Sequence, residues 1–487
     1  MFFLFGLIRI SDSKFSFFGL QAVFGDPETS FAFALFGRPY LCWLIGGLLV
    51  IFVFMHNGLP AIEKSGQSSG FWSRHAVALC LLGCMVGIGL SFGQVWLTPR
   101  PDIRVNAIKS LYDHRYGNLG DPWPAILAAR QLSQNPRALI YNDRQVAGAA
   151  YIYPPIAASV YLPVANLNQS RIFSILSLAN RLLFVAIYLL LMLFLFYESR
   201  PSWKAIVVIL VLSVCYYPLL RAVELNQSTV LVTVLLGVTW VSLQRTFHAA
   251  AGIALAAAVA IKPQLVLVLP FLILSAPRVI WWTMGTGAIL LGLSVWYAGL
   301  QNHVYYLTRM VPMLSAGYSF YPNHSFNGLF NRLLLNEPIH IFALAPKTAA
   351  VQVLTVVCGL LTYSAALWVA RRQRHKSHMA LPLFGFAWLC ATLVSPVSWE
   401  HHYAPALFVF AWIYRQYVNR GHELPAWLLI PTAASFVLVA CYFDIFGLHG
   451  AIPQLLVSYV FYGGLLLAVV IGLMLEKKTG LSCINYN

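Results

Sequence analysis

The chain has 487 residues, 60% of them apolar and 9% charged, with a formal net charge of +16. A soluble globular domain is about a quarter charged, so this composition excludes that class and fits a chain that lives in lipid. In that setting the positive excess reads as cytoplasmic anchoring by Lys and Arg, or attraction for anionic lipid, and not as nucleic-acid binding.

Apolar stretches able to cross about 30 Å of hydrocarbon recur along the chain. Spans are predicted at 39–56, 75–98, 171–197, 204–222, 227–243, 279–299, 349–370, 379–397, 402–418, 425–446 and 452–475, and 248–276 reads as two short helices broken at Lys262-Pro263. Together these make about 13 crossings. The expected fold is therefore all-α, a polytopic transmembrane helical bundle. Residues 1–74 form an N-terminal extension with one span, 75–475 the main transmembrane domain and 476–487 a cytoplasmic tail. Residues 1–8 are apolar but short, with Arg9 after them and no charged region before, so they do not read as a cleavable signal. The cysteines show no CxxC pair or metal-type spacing and read as small core residues.

Lys64/Arg74, Arg200/Lys204, Arg245, Arg278, Arg371–Arg374, Arg415/Arg420 and Lys477-Lys478 fall on one side of these spans, which the positive-inside rule makes cytoplasmic. The first 38 residues, with Arg9, Lys14 and Arg38, fit neither side. The opposite, exoplasmic side receives two long segments, 99–170 and 300–348, expected to carry interfacial helices. Within the first, 153–168 is apolar but proline-punctuated and too short to cross comfortably.

The unusual polar residues then gather on that exoplasmic face: Asp121, Glu224, Asn226 and Gln227, Lys262, the loop residues Asn323, His324, Asn327 and Arg332, and Glu400, His401 and His402. Each has a plain structural reading. Lys262 can snorkel, the histidines can sit at a wet boundary, Asn226 can close a turn and Asp121 can cap a helix. A hydrophilic cleft facing outward accounts for all of them together. There is no GxxxxGK[ST] loop, no dinucleotide-binding domain and no HExxH helix, so a soluble nucleotide donor is disfavoured and neither a metal nor a cofactor is indicated. A carboxylate with cations and imidazoles at a membrane surface suits a reaction on a phosphate-bearing lipid. The carboxylate would take a proton from an acceptor hydroxyl, and the cations would stabilise the departing phosphate.

Five stretches in order carry a resemblance. They are GDPWPAILAARQL with Asp121, Tyr153-Pro154-Pro155, ELNQSTVLV with Asn226-Gln227, AGIALAAAVAIKPQ ending at Lys262-Pro263, and NHSFNGLFNRLL followed by SPVSWEHH. With these the chain resembles glycosyltransferase family 87, polyprenyl-phosphate-sugar-dependent transferases of the GT-C class, over residues 75–475. It departs from the family pattern at Asn226, where Gly usually precedes the Gln, and at Pro122, where an aromatic or aliphatic residue usually follows the aspartate. The resemblance implies an inverting transfer of a mannose-like hexose or a pentose from a polyprenyl-phosphate donor to a glycolipid or glycan acceptor, at the exoplasmic face of a bacterial inner membrane. It implies Asp121 as general base, with His401 or His402, Lys262 and Arg332 on the donor phosphate. Asn226, Gln227, Asn323 and Asn327 would hydrogen-bond sugar hydroxyls, and His324 and Tyr153 belong to the same donor site.

Asp102, Asp113 and Asp143 are rival bases in the first loop. Asp102 follows its span too closely, Asp113 lacks a following small-residue helix and Asp143 sits in a polar turn. A transporter or flippase of lipid-linked sugars would place polar groups near the midplane on broken helices, and Lys262-Pro263 is the one candidate break. A glycan polymerase or ligase is the third reading. Trp399 is read as a sugar-stacking ring or an interfacial anchor, the anchor first.

Overall fold

The computed structural model describes residues 121–141, 151–196, 216–335, 339, 342–374, 379–419, 425–442 and 451–476. The spans expected at 39–56 and 75–98, most of that at 204–222, the extension at 1–74, the tail and the rival bases Asp102, Asp113 and Asp143 lie outside these residues. The described residues are helical, with no strand among them beyond an isolated bridge between Asn323 and Trp399.

The first elements are α1 (Trp123–Gln134) and α2 (Pro155–Ser159), followed by the long α3 (Gln169–Leu195). Pro124 stands in the first turn of α1, where its missing N–H costs nothing. Ala125, Ile126, Ala129 and Leu132 recur at helical spacing and are buried. Only turns follow α2 as far as Leu167, so the 153–168 segment is not a span. Asn168 caps α3, its Oδ1 accepting from the Arg171 N–H at 3.0 Å. Along α3, Asn180, Phe184, Ile187, Leu191 and Phe194 face the core, whereas Leu178, Leu182, Leu189 and Leu193 are exposed. An apolar stripe on both faces is what a helix between protein and lipid needs.

Next come α4 (Tyr217–Glu224), α5 (Thr229–Gln244) and α6 (His248–Ile261). The break expected at Lys262-Pro263 is present. Lys262 leaves the helix at φ −127° and ψ 89°, and Pro263 opens a 3-10 segment (Pro263–Val268) leading into α7 (Leu269–Ser275). Proline cannot donate to the preceding turn, and it pushes the residue before it out of the helical region. The small residues of α6 let α8 (Pro277–Ala298) approach closely: a Cβ on Gly252 would lie 2.6 Å from the Val279 carbonyl oxygen.

After α8 the chain continues through α9 (Leu300–Tyr305), a π turn (Tyr306–Met310) and α10 (Val311–Leu314) into a loop and α11 (Phe326–Leu335). The remaining helices are α12 (Ala349–Gln373), α13 (Ala380–Val394), α14 (Ala406–Asn419), α15 (Ala426–Ala440), α16 (Ala451–Leu456) and α17 (Tyr459–Glu476). Among the described residues four helices, α3, α8, α12 and α17, are long and apolar enough to cross a membrane. Every residue of α13 from Leu381 to Leu393 is buried, which puts it at the centre of the bundle. Around it the Trp240 ring meets Phe194, Phe384 and Phe408 at centroid distances of 5.9, 5.8 and 6.1 Å.

Two smaller cores sit apart from this one. Trp123, Ile126, Tyr141, Tyr151, Tyr161 and Met310 form the first, joining the segment around α1 and α2 to the π turn. Tyr318, Phe320, Tyr321, Trp399 and Val457 form the second. The expectation of an interfacial Trp399 is not met, because its ring is buried against Tyr318 and Phe342 at 5.2 and 5.8 Å. These two cores hold the non-spanning segments in place, and the candidate site lies where they meet the bundle.

Candidate active site

Asp121 stands just ahead of α1 and does not cap it; the cap position is Pro122, with no side-chain hydrogen bond. Instead its Oδ2 accepts from Nε2 of Gln227. Gln227 is delivered by a tight turn after α4, in which its N–H donates to the Ala222 carbonyl at 2.9 Å and the Asn226 N–H donates to Val223 at 3.1 Å. Asn226 has φ +51°, the left-handed region. Apart from Gly, Asn is among the residues that enter it at least cost, which accounts for Asn at the place where the family pattern has Gly. Its Oδ1 accepts from Nδ2 of Asn180 at 3.2 Å. Tyr153, Tyr161, Gln227 and Ser228 enclose a space of about 10 Å³ beside Asp121, room for one water or one hydroxyl.

Lys262 reaches the same place from the broken hairpin. Its Nζ is 2.5 Å from Nε2 of His402 and 5.8 Å from the centroid of the Tyr153 ring. Burial lowers its pKa to about 7, and the nearby Asp121 carboxylate works in the opposite direction. Burial also holds His401 and His402 well below the usual histidine value, with Lys262 adding to the effect on both. Both imidazoles are therefore neutral near pH 7. A neutral His402 that accepts a hydrogen bond from Lys262 at Nε2 carries its own hydrogen on Nδ1, a tautomer assigned from this contact. Among the described residues, Nδ1 of His402 and Nε2 of His401 have no hydrogen-bond partner. Buried polar atoms without a protein partner are met by water, an ion or a ligand.

The turn that carries the histidines is held from two sides. Glu400 Oε1 accepts from the Tyr217 hydroxyl at 2.9 Å and pairs with Nε of Arg221 at 3.2 Å, and both members of the ion pair are buried. Tyr216 donates to the Tyr403 carbonyl at 2.9 Å, and Tyr403 donates to that of His324 at 2.6 Å. Arg221, Tyr217, Tyr161 and Ser228 were not singled out from the sequence. The available signal was Arg221 itself, an arginine in the apolar run YPLLRAV, since such a charge needs a partner and Glu400 supplies it.

Asn323, His324, Asn327 and Arg332 are placed differently. Asn323 Oδ1 accepts from the Ser398 N–H at 2.9 Å and its Nδ2 donates to the Tyr318 carbonyl at 3.0 Å. The His324 N–H donates to the Ser398 carbonyl at 2.7 Å, and Asn327 Oδ1 accepts from Asn331 at 2.6 Å. Arg332 donates to the Asn323 carbonyl at 2.9 Å and to Ser458 at 2.8 Å. None of the four lines the space beside Asp121. Asn323 and His324 tie the second loop to the Ser395–Trp399 segment, Arg332 ties it to Ser458, and Asn327 bonds within α11. The Asn-x-Ser-x-x-Gly pattern has a local cause as well. Ser325 Oγ accepts from the Gly328 N–H at 3.1 Å and donates to Asn323 Oδ1 at 3.0 Å, an N-cap for α11. A side chain on Gly328 would overlap the Asn323 backbone.

Asp121, Gln227, Tyr153, Lys262 and His402, from segments far apart in the chain, thus converge, with His401 beside them. Asp121, Gln227 and Tyr153 line the small space, and Lys262 with His402 stands next to it behind the Tyr153 ring, so that a carboxylate, a cation and imidazole groups lie close together. Among the described residues, no three His, Cys, Asp or Glu side chains gather as metal ligands would.

Residues 151–396 match the family model of glycosyltransferase family 87. The chain belongs to glycosyltransferase family 87. The matched region of this family 87 chain holds Tyr153, Asn226-Gln227, Lys262 and the Asn323–Gly328 loop, while Asp121 and His401-His402 flank it. Its helical architecture and its apolar spans agree with a membrane glycosyltransferase. No curated protein matches the chain.

Proposed function

We propose that this family 87 protein moves a mannose-like hexose or a pentose from a polyprenyl-phosphate donor to a glycolipid or glycan acceptor, at the exoplasmic face of a bacterial inner membrane. Residues 75–475 make up the transferase unit, of about 13 spans by the sequence reading, with 1–74 an added segment and 476–487 a cytoplasmic tail. The observation that carries this reading is the approach of Lys262 and His402 to the Asp121–Gln227 pair.

In the proposed reaction the acceptor hydroxyl occupies the space beside Asp121. Its oxygen attacks the anomeric carbon from the face opposite the phosphate, forming the new glycosidic bond as the carbon–phosphate-oxygen bond breaks. Asp121 takes the hydroxyl proton, with Gln227 fixing the orientation of the carboxylate. The bonding electrons leave on the lipid phosphate, whose charge is met by the Lys262 ammonium and the Nδ1–H of His402. His401 and Tyr153 line the donor side. Asn323 and His324 brace the segment that leads to the histidines and Arg332 holds the Asn323 carbonyl, a positioning role in place of the sugar contact expected of Asn323 and the phosphate contact expected of Arg332.

The test is incubation of membranes containing the protein with defined, labelled polyprenyl-phosphate sugars. Glycosylated product made by the unaltered protein and lost in Asp121→Asn supports the reading. Label that crosses the membrane without forming a product would instead identify a flippase.

A further inference from the structure

One helical segment presents an apolar face outside the bundle. The span α8 ends in the exposed ring of Trp296, and Gly299, at φ +82°, turns the chain into α9. The inner face of the segment that follows is firmly docked. Asn302 is buried, donates to the Ala138 carbonyl at 2.8 Å and accepts from the Ile140 N–H at 3.0 Å. Tyr305 stacks on Tyr141 at 5.4 Å, and Met310 is buried. The opposite face carries Leu300, Val304, Leu307 and Val311, each between 43 and 65% exposed. Positions at intervals of four, three and four form one continuous stripe. Water facing such a stripe is unfavourable, and stripes of this kind mark a surface that something covers.

The structure also indicates what covers it. The stripe begins where a lipid-facing span ends, beside Trp296 and Leu293, both exposed, and an exposed Trp at a span end marks the level of the lipid head groups. At the far end of the stripe an open cleft of about 410 Å³ is lined by Thr308, Arg309, Pro312, Leu344 and Lys347. Lys347 Nζ donates to the Pro312 carbonyl at 2.6 Å, while Arg309 makes no hydrogen bond or ion pair with a described residue. The segment from 299 to 348 carries Arg309, Arg332 and Lys347 against one acid, Glu337. An apolar strip that ends in two cations matches acyl chains below and phosphates above.

We propose that Leu300–Leu314 lies in the plane of the bilayer surface, its stripe on the acyl chains, and that the Arg309–Lys347 cleft takes the phosphate of an anionic phospholipid. This site is separate from the Asp121 space and shares no lining residue with it.

The test uses the full chain in nanodiscs of phosphatidylcholine with or without phosphatidylglycerol. A fluorophore attached through Leu307→Cys should be quenched about twofold more by tail-brominated lipid than one attached through Gln301→Cys, on the polar flank. Retention of phosphatidylglycerol, read by native mass spectrometry, should fall about fivefold for each charge removed in Arg309→Gln and Lys347→Gln. Both side chains are on the surface, so these variants leave the fold intact. Equal quenching at the two positions overturns the in-plane helix, and undiminished phosphatidylglycerol retention in the double variant overturns the phosphate site.

Discussion

Nζ of Lys262 lies 2.5 Å from Nε2 of His402, across 140 positions of sequence. A contact this short holds a single proton. Lys262, with its pKa brought down to about 7, and His402, held well below its usual value, leave that proton on the lysine. The ammonium therefore has a neutral imidazole in direct contact, and the Asp121 carboxylate is near enough to raise its pKa without being its hydrogen-bond partner; in the proposed reaction it meets the donor phosphate.

Replacing Lys262 by Gln keeps a hydrogen-bond donor near His402 but removes the charge. The expected loss in kcat/KM is about 10²- to 10³-fold, the usual size for one preorganised group at a developing anion. Steady-state transfer assays on a polyprenyl-phosphate sugar check this, and a loss below about threefold would remove Lys262 from the phosphate site.

The pH dependence follows from the same residue. Below about pH 7 Lys262 already carries its proton in the unliganded protein. Above that value it must take up a proton when the phosphate binds, so donor affinity weakens as pH rises, by up to about tenfold per unit, until the pKa of the bound state is reached. The histidines add nothing in this range because they are already neutral. Titration of donor-analogue binding from pH 6 to pH 9 should show this decline, and Lys262→Gln should abolish it. A flat profile in the unaltered protein would contradict the assignment.

Asp121→Asn retains an oxygen able to accept from Gln227, so the local geometry survives while the base is lost. Transfer should drop by about 10²- to 10⁴-fold, with donor-analogue affinity changed little. Full activity in the purified variant would rule out Asp121 as the base.

The legible and illegible parts of the molecule divide along physical lines. Helices could be read from composition, since apolar runs in lipid have few alternatives. The break at Lys262-Pro263 followed from proline chemistry alone. Side-chain partners could not be read in the same way. Asn323 and Asn327 read as ligands for a sugar and Arg332 as a ligand for the donor phosphate because polar residues in an apolar chain draw attention, and all three are buried with hydrogen bonds inside the protein. A polar residue that satisfies backbone carbonyls in a folded loop has the same sequence signature as one awaiting a substrate. Arg221 was missed for the converse reason: its partner Glu400 is 179 positions away, and no local pattern connects them.

The Arg221–Glu400 pair gives the last prediction. Both side chains are buried and 3.2 Å apart. Removing one partner, as in Arg221→Met or Glu400→Gln, strands a charge or leaves it poorly compensated, at a cost of about 3–5 kcal/mol when the stranded group is charged. Removing both, as in Arg221→Met with Glu400→Met, replaces the pair by apolar volume and should cost less than Arg221→Met alone, because no buried charge remains. Equilibrium unfolding in detergent across this double-mutant cycle measures the difference. Strictly additive losses would show that the two groups do not act as a pair. The same variants separate holding from chemistry. If the pair only fixes the turn that carries His401 and His402, the double variant should bind donor analogue more weakly while the pH decline set by Lys262 keeps its onset near pH 7. A shifted onset would place Arg221 in direct electrostatic contact with the phosphate site.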